Sequence, residues 1–468
     1  MSSVKVIVTW SGQKFELEIE DDESVDSLKA KMYSLTNVEP DRQKLLFKGK
    51  LLTEYSDLSA LNIKEGSKLM MMGTIGELPT EPKEKTLFYE DMTDKQRAET
   101  LKLPSGLENL GNTCYMNATL QCLRAIPELQ ESLNSFTGRE AGSNVLQRNL
   151  TVSLRDLYHQ MNQTTESYSP QSFLQVLRSA FPQFAQRNAS GFMQQDADEC
   201  WSQIISSLHQ ANVIIPKQDS NSSPIEGSFI DRYMKGEFTS TIKCLDAPEE
   251  EEVVTKEYFF KLNCHIRVTT NFLQNGITGA LDENIEKTSP TLGRNATYSK
   301  SLRINRLPSY LTVQFVRFYW KTDRNIKILR KVKFPMELDV TEFCTDELKN
   351  KILPVRNSLL ELEKERASSK RKAKLAENFS SQNATDSTNE TNKETTNVEE
   401  LEKIKKLIDP ELAKDVGANV SGLYELYEWI KYDDDKVSIV TEEDIQKLDG
   451  GGDWHIAYIL LYKSKQIA

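Results

Sequence analysis

The strongest constraint on folding lies at the N-terminus. Residues 4–20, VKVIVTWSGQKFELEIE, alternate apolar and polar side chains in two runs parted by Ser11 and Gly12. Side chains alternate faces along a strand, so each run has one apolar face, and two such runs across a short Ser-Gly turn read as a hairpin. A lone hairpin is marginal in water and needs a cover for that face. The next segment supplies one, since Val25, Leu28, Met32 and Leu35 recur at helical spacing. QKLLFKGKLL and SKLMMMG then read as short strands. The order ββαββ over residues 1–75 predicts a small α+β roll with the helix packed on the sheet.

The whole chain has 468 residues and a net charge of −11, which argues against nucleic acid as a partner. No apolar run reaches the ~18 residues a membrane span needs, and MSSVKVIVTW lacks the apolar core and cleavage site of a signal peptide. The six cysteines, at 114, 122, 200, 244, 264 and 344, show no close pair of the metal-binding kind. No metal or cofactor is expected, and the thiols read as free ones in a reducing, cytoplasmic compartment, with the nucleus also allowed.

Composition divides the chain further. Residues 76–104 mix Pro, Glu and Lys without a long apolar period and read as a linker. A second break, at about 364–400, is rich in Ser, Thr, Asn and Lys and nearly free of large apolar residues. Such a segment cannot bury enough surface to offset its ordering entropy, so disorder is expected there. A solvated helix over 357–374 stays open as the alternative. Residues 105–468 form the larger domain around that insert.

Within it, NLGNTCYMNATLQCL, residues 109–123, places a cysteine after a small polar loop and before an amphipathic run. Met116, Leu120 and Leu123 share one helical face, and Pro127 cannot continue that helix. Cys114 therefore falls near a helix N-terminus, where the dipole and unpaired N–H groups favour a thiolate. The plain alternative is a small buried core cysteine. A second box, GFMQQDADECWSQIISSLH, carries Trp201, Ile204, Ile205 and Leu208 on one helical face, with Asp196 and Glu199 placed as a capping pair. Residues from about 225 to 345 are strand-rich.

These segments carry two resemblances. PDRQKLLFKGKLL and LNIKEGSKL are similar to ubiquitin in register, while the end of that module reads MMMGTIGELPTEP, without an Arg-rich tail and two glycines. The resemblance implies an integral ubiquitin-like β-grasp domain used for docking, with Leu46 and Met72 where ubiquitin carries its apolar binding patch. The pattern of Asn109, Gly111, Asn112, Cys114, Tyr115 and Asn117 resembles the cysteine box of the ubiquitin-specific proteases, and the Gln194, Gln195 and Asp196 segment their glutamine-rich box. Leu307, Pro308, Arg317 and Phe318 match a further strand of that family.

The likeness implies a papain-like domain, a helical lobe and a β-rich lobe that grip ubiquitin and lead its tail to the thiol. It implies Cys114 as nucleophile, Asn109 as oxyanion donor, Asp433 as the carboxylate orienting a histidine, and Gln194, Gln195 and Asp196 as binding residues. Its partners would be ubiquitin and ubiquitinated proteins. Combined with the N-terminal module, it points to the proteasome-associated branch, docked on the regulatory particle through residues 1–75.

One part of the family pattern is missing. A thiol with a pKa near ~8.5 is only a few per cent ionised at neutral pH, so such enzymes place a base beside it. In the family a strand, a loop and the histidine strand lie between GLYEL and EWIKY, whereas here Leu426 and Tyr427 run almost directly into Trp429. Two strands and a connection would take about 20–30 residues. The four histidines, at 159, 209, 265 and 455, all lie elsewhere, and His455 is a poor candidate for a substitute base. Two expectations follow: a cysteine-type ubiquitin hydrolase, or an impaired isoform or truncated gene model that only binds ubiquitin and the proteasome.

Overall fold

The computed structural model describes residues 3–20, 23–53, 56, 58, 61, 63–73, 103–138, 144–214, 227–321, 324–379, 400–426, 430–452 and 455–465. The chain divides into two compact units, Met1–Asp91 and Met92–Ala468. The expected linker, 76–104, lies outside the described residues apart from its last two positions.

In the first unit, β1 (Ser3–Trp10) and β2 (Gln13–Glu20) form the expected hairpin, with Ser11 and Gly12 at positive φ in its turn. Helix α1 (Val25–Thr36) is capped by Ser24, whose hydroxyl accepts from the Ser27 N–H. Val25, Leu28 and Met32 are buried beneath it, whereas Leu35 is exposed, because its angular position falls at the margin of the apolar face and Thr36 turns inward instead. QKLLFKGKLL is not one strand. Lys48 and Gly49, both at positive φ, fold it into a second hairpin of β3 (Lys44–Phe47) and β4 (Lys50–Leu52). Strand β5 (Ser67–Met72) runs parallel to β1 in the centre of the sheet, giving the order β2-β1-β5-β3-β4.

The second unit is built from a helical part and two sheets. The helices are α2 (Cys114–Arg124), α3 (Pro127–Ser135), α4 (Val145–Met161), α5 (Gln171–Ala180) and α6 (Ala197–Gln210). Their apolar faces share one core with Met116, Leu120, Leu123, Leu154, Phe173 and Trp201 fully buried. Each such side chain stabilises the fold by about 1.5–3 kcal/mol. Pro127 ends nothing by clashing. It opens α3 at the first helical position, where its missing N–H costs nothing. A short ribbon of β6 (Arg187–Asn188) and β7 (Gly191–Phe192) precedes α6.

One sheet joins β8 (Gly236–Cys244), β9 (Val253–Phe259), β11 (Asp282–Thr288) and β12 (Asn295–Arg306) in the order β11-β12-β8-β9. The other joins β10 (Leu262–His265), β13 (Tyr310–Val316), β16 (Glu337–Asp339), β17 (Leu423–Leu426) and β20 (Ile459–Ser464) in the order β10-β13-β20-β17-β16. Helix α7 (Leu273–Leu281) packs against β10 in the same core as Val313 and Phe315. Two hairpins stand apart: β14 (Phe318–Lys321) with β15 (Arg324–Lys327), and β18 (Ile430–Asp433) with β19 (Lys436–Ile439).

Of the two expectations for the insert, the helix over 357–374 is the one found. A single helix, α8 (Asp346–Phe379), continues well past 364, and residues 380–399 lie outside the described ones. Its first half is anchored by Leu348, Ile352 and Val355 in the cores, and its second half, rich in Lys, Glu, Arg and Ala, propagates a helix already nucleated. Among the described residues no helix is long and apolar enough to cross a membrane.

Candidate active site

The loop before α2 is set by backbone that few residues accept. Gly111 and Asn112 both have positive φ, which suits glycine and asparagine. The Asn109 side-chain oxygen accepts from the Gly111 N–H at 3.0 Å and the Thr113 N–H at 3.3 Å, closing the turn that delivers Cys114 as the first helical residue. Asn117, one turn on, donates to the Glu108 carbonyl at 3.1 Å.

The strand side reaches this loop through one residue. Asp434, at positive φ in the turn of the β18–β19 hairpin, accepts from Asn109 Nδ2 and from Asn117 Nδ2, both at 2.8 Å. Its own carbonyl accepts from the Leu107 N–H at 2.9 Å. The approach is close enough to demand glycine at 106, where a Cβ would lie 2.5 Å from the Asp435 carbonyl oxygen. Asp433, the expected orienting carboxylate, is exposed at the end of β18 opposite Lys436. Strand alternation turns it outward, and the turn residue after it faces the loop instead.

Cys114 is half-buried and borders a cavity of about 580 Å³ together with Gln194, Asp196, Arg317, His455 and Tyr458. Gln194 donates from Nε2 to the sulfur at 3.4 Å. Gln195 instead donates to the Met193 carbonyl at 3.4 Å. Asp196 caps α6 by accepting from the Asp198 N–H at 2.7 Å, so the cap is real but its donor is not at Glu199. Across the cavity the Tyr458 hydroxyl donates to both Asp196 oxygens, at 2.9 and 2.8 Å. The buried Arg317 guanidinium fixes that wall, donating from Nε to the Ala457 carbonyl at 2.8 Å and from Nη1 to the Arg330 carbonyl at 3.1 Å.

The electrostatics of the thiol differ from expectation. Burial, and then the negative charge of Asp434, push Cys114 above the ordinary thiol value, while the Tyr115 and Cys114 backbone N–H groups pull the other way. The helix-start donors act against burial and the Asp434 carboxylate, and the raising effects are the larger. Among the described residues no imidazole hydrogen-bonds the sulfur. His159 meets Gln163 at 2.9 Å, His209 meets Asp231 at 3.1 Å, and His265 lies in β10. His455 is exposed and borders the Cys114 cavity. The junction where the histidine strand was expected, residues 427–429, lies outside the described residues.

On the first unit, Met72 is 56% exposed and Leu46 half-buried, both on the outer face of the sheet. Met70, 55% exposed and opposite Leu46 in register, belongs to the same patch. Sequence reasoning passed over it, although the alternation of Leu69, Met70, Met71 and Met72 carried the signal. It also passed over Asp434 and over the placement of His455.

A thiol at a helix start, with amide donors turned on its sulfur and an open cavity before it, has the arrangement that cysteine-type hydrolysis needs. Comparison with known proteins gives the family. Residues 105–462 match the ubiquitin carboxyl-terminal hydrolases, residues 4–75 match the ubiquitin family, and the chain belongs to the ubiquitin carboxyl-terminal hydrolases with an N-terminal ubiquitin-like domain. Ubiquitin carboxyl-terminal hydrolase 6 of Schizosaccharomyces pombe is 40% identical over 99% of this chain and 100% of its own. Ubiquitin carboxyl-terminal hydrolase 7 of Arabidopsis thaliana is 38% identical over 99% of both, and hydrolase 14 of Caenorhabditis elegans is 32% identical over 99% of this chain and 94% of its own. These likenesses favour the deubiquitinating hydrolase over a protein that only binds. The match to the first relative runs over 496 residues against 468 in this chain, so that relative carries residues with no counterpart here.

Proposed function

We propose that this chain is a proteasome-docked, cytoplasmic deubiquitinase in which Cys114 attacks the carbonyl carbon at the ubiquitin C-terminus. The observation that carries the reading is the sulfur itself, set at the start of α2 with the Gln194 amide 3.4 Å away. Attack forms a tetrahedral oxyanion. Collapse expels the amine of the substrate, which takes up a proton, and leaves a thioester on Cys114 that water hydrolyses. Amide donors must face the oxyanion. Gln194 and the backbone N–H groups of Tyr115 and Cys114 are donors at the thiol, and Asn109 joins them if its Nδ2 turns from Asp434 when substrate binds. Gln195 and Asp196 line the path of the tail. Asp433 points outward and makes no hydrogen bond to a histidine among the described residues.

Treating the full chain with ubiquitin that bears a C-terminal electrophile and mapping the adduct tests the nucleophile. Labelling is expected at Cys114, and an adduct at exposed Cys122 with Cys114 untouched would refute it.

Residues 1–75 are the docking module, through the patch of Leu46, Met70 and Met72. Binding of the full chain to purified proteasome should fall at least tenfold on Met70→Asp with Met72→Asp, on the order of one to two lost apolar anchors. Unchanged binding would place the contact elsewhere.

A further inference from the structure

The ribbon beside the thiol loop carries two cations that no acid offsets. Arg178 of α5 and Arg187 of β6 set their guanidinium carbons 3.4 and 4.0 Å from the centre of the Phe192 ring. Two planar groups cannot share one face at those distances, so the ring lies between them. Arg187 and Phe192 are directly opposite in the β6–β7 register. Asn112 of the thiol loop donates from Nδ2 to the Phe192 carbonyl at 2.9 Å, which ties the stack to the turn that delivers Cys114. Neither Arg187 nor Phe192 lines the thiol cavity, so the stack lies outside it.

Holding two like charges this close costs free energy unless an opposite charge offsets it. Arg178 spends its Nε on the Phe184 carbonyl at 3.3 Å. Among the described residues neither guanidinium pairs with a carboxylate. Burial holds Arg178 below the ordinary guanidinium value, Tyr115 opposes that, and the Arg187 charge adds to it. Stacking fixes both guanidinium planes, and Arg187 is exposed to solvent. Two oriented, unneutralised forks of N–H donors suit carboxylates, which they bind with two parallel hydrogen bonds each.

We propose that Arg178 and Arg187 form a subsite for acidic residues flanking the modified lysine, on the leaving-group side of the bond that Cys114 attacks. The inference rests on the deubiquitinase reading above. Charge decides which half of the substrate the stack meets. The half that carries the scissile carbonyl ends in an Arg-rich tail, which two guanidiniums repel. The other half is the amine-bearing protein, whose sequence varies from substrate to substrate. A cationic edge beside the thiol loop therefore selects conjugates by the charge around the lysine. It acts on the choice of conjugate and leaves the chemical step to the residues at the sulfur.

The test measures binding, with the full chain carrying Cys114→Ala so that the conjugates stay intact. The probes are two conjugates of ubiquitin, joined by an isopeptide bond to the lysine of a fluorescein-labelled peptide, Asp-Glu-Lys-Glu-Asp in one and Asn-Gln-Lys-Gln-Asn in the other. Fluorescence anisotropy should show the acidic conjugate bound about three- to tenfold tighter, the size of one or two partly exposed Arg–carboxylate pairs. In Arg178→Gln with Arg187→Gln the ratio of the two affinities should fall to one. Should that pair of changes unfold the chain, judged by circular dichroism, Arg187→Glu alone, at an exposed position, should turn the preference towards the neutral conjugate. Equal affinities in the parent chain, or a preference that survives these changes, would overturn the subsite while leaving the deubiquitinase reading in place. Binding of neither conjugate would overturn that reading and the subsite with it.

Discussion

The two regions that meet at Cys114 are built in opposite ways. The helix side is local: Asn109, Thr113 and Cys114 are fixed by hydrogen bonds within a few residues of one another, and Met116, Leu120 and Leu123 fasten α2 into the helical core. The strand side is remote. Its contacts with the loop, Asn109 to Asp434 and Asn117 to Asp434, span 325 and 317 residues, and they hang from a hairpin that, among the described residues, pairs only with itself. The proposed nucleophile is thus presented by a rigid element, while the partner that would raise its reactivity belongs to the weaker one. A two-stranded ribbon has little stability of its own, so the strand side is where the site can be lost or improved.

Completing the strand side gives the largest expected effect. Inserting the family's histidine strand between Leu426 and Trp429 should raise kcat/KM on a fluorogenic ubiquitin substrate by about 10²–10⁴, the usual general-base contribution, with Cys114→Ala as the blank. A gain under about tenfold, below that contribution, would mean that a base already serves the thiol, and His455→Ala would then be the variant whose activity collapses.

A smaller effect comes from wedging the two sides apart. Gly106→Ala sets a methyl group against the Asp435 backbone, and the displacement should lower stability by about 1–3 kcal/mol, as overpacking typically does. Thermal unfolding reads the cost. A melt unchanged from the parent would show that the hairpin does not bear on the loop.

The smallest is electrostatic. Asp434→Asn removes a negative charge that, after burial, raises the Cys114 thiol above its ordinary value. A carboxylate beside a thiol raises its pKa, so removal lowers it, and the thiolate appears at lower pH. The pH midpoint of iodoacetamide alkylation in a Cys122→Ser chain should move down, with the neutral-pH rate rising a few-fold, as for an exposed-to-half-buried charge pair. A midpoint that moves up would show that the lost hydrogen bonds to Asn109 and Asn117 outweigh the charge.

Much of the fold was legible because its signals are short-range. Two-residue alternation gave β1 and β2, helical spacing gave α1, α2 and α6, and the loop chemistry around Gly111 and Asn112 placed Cys114 at a helix start. The hairpin of β3 and β4 was missed because Lys48 adopts a positive φ that its residue type does not announce. Helix α8 outran its expected end because a helix nucleated in a core extends into polar sequence that would not start one.

The site divides along the same line. The sequence by itself determined the candidate nucleophile, its loop and the helix behind it, since their partners lie within a turn or two of chain. Only the tertiary structure decided which aspartate of the run 433–435 faces the loop, that the Asp434 charge bears on the thiol, and that His455 borders the cavity. The first two depend on where a hairpin turn more than three hundred residues away comes to rest. Because side chains alternate along a strand, one residue of register exchanges inward for outward, and no local pattern in three successive aspartates records which of them turns in.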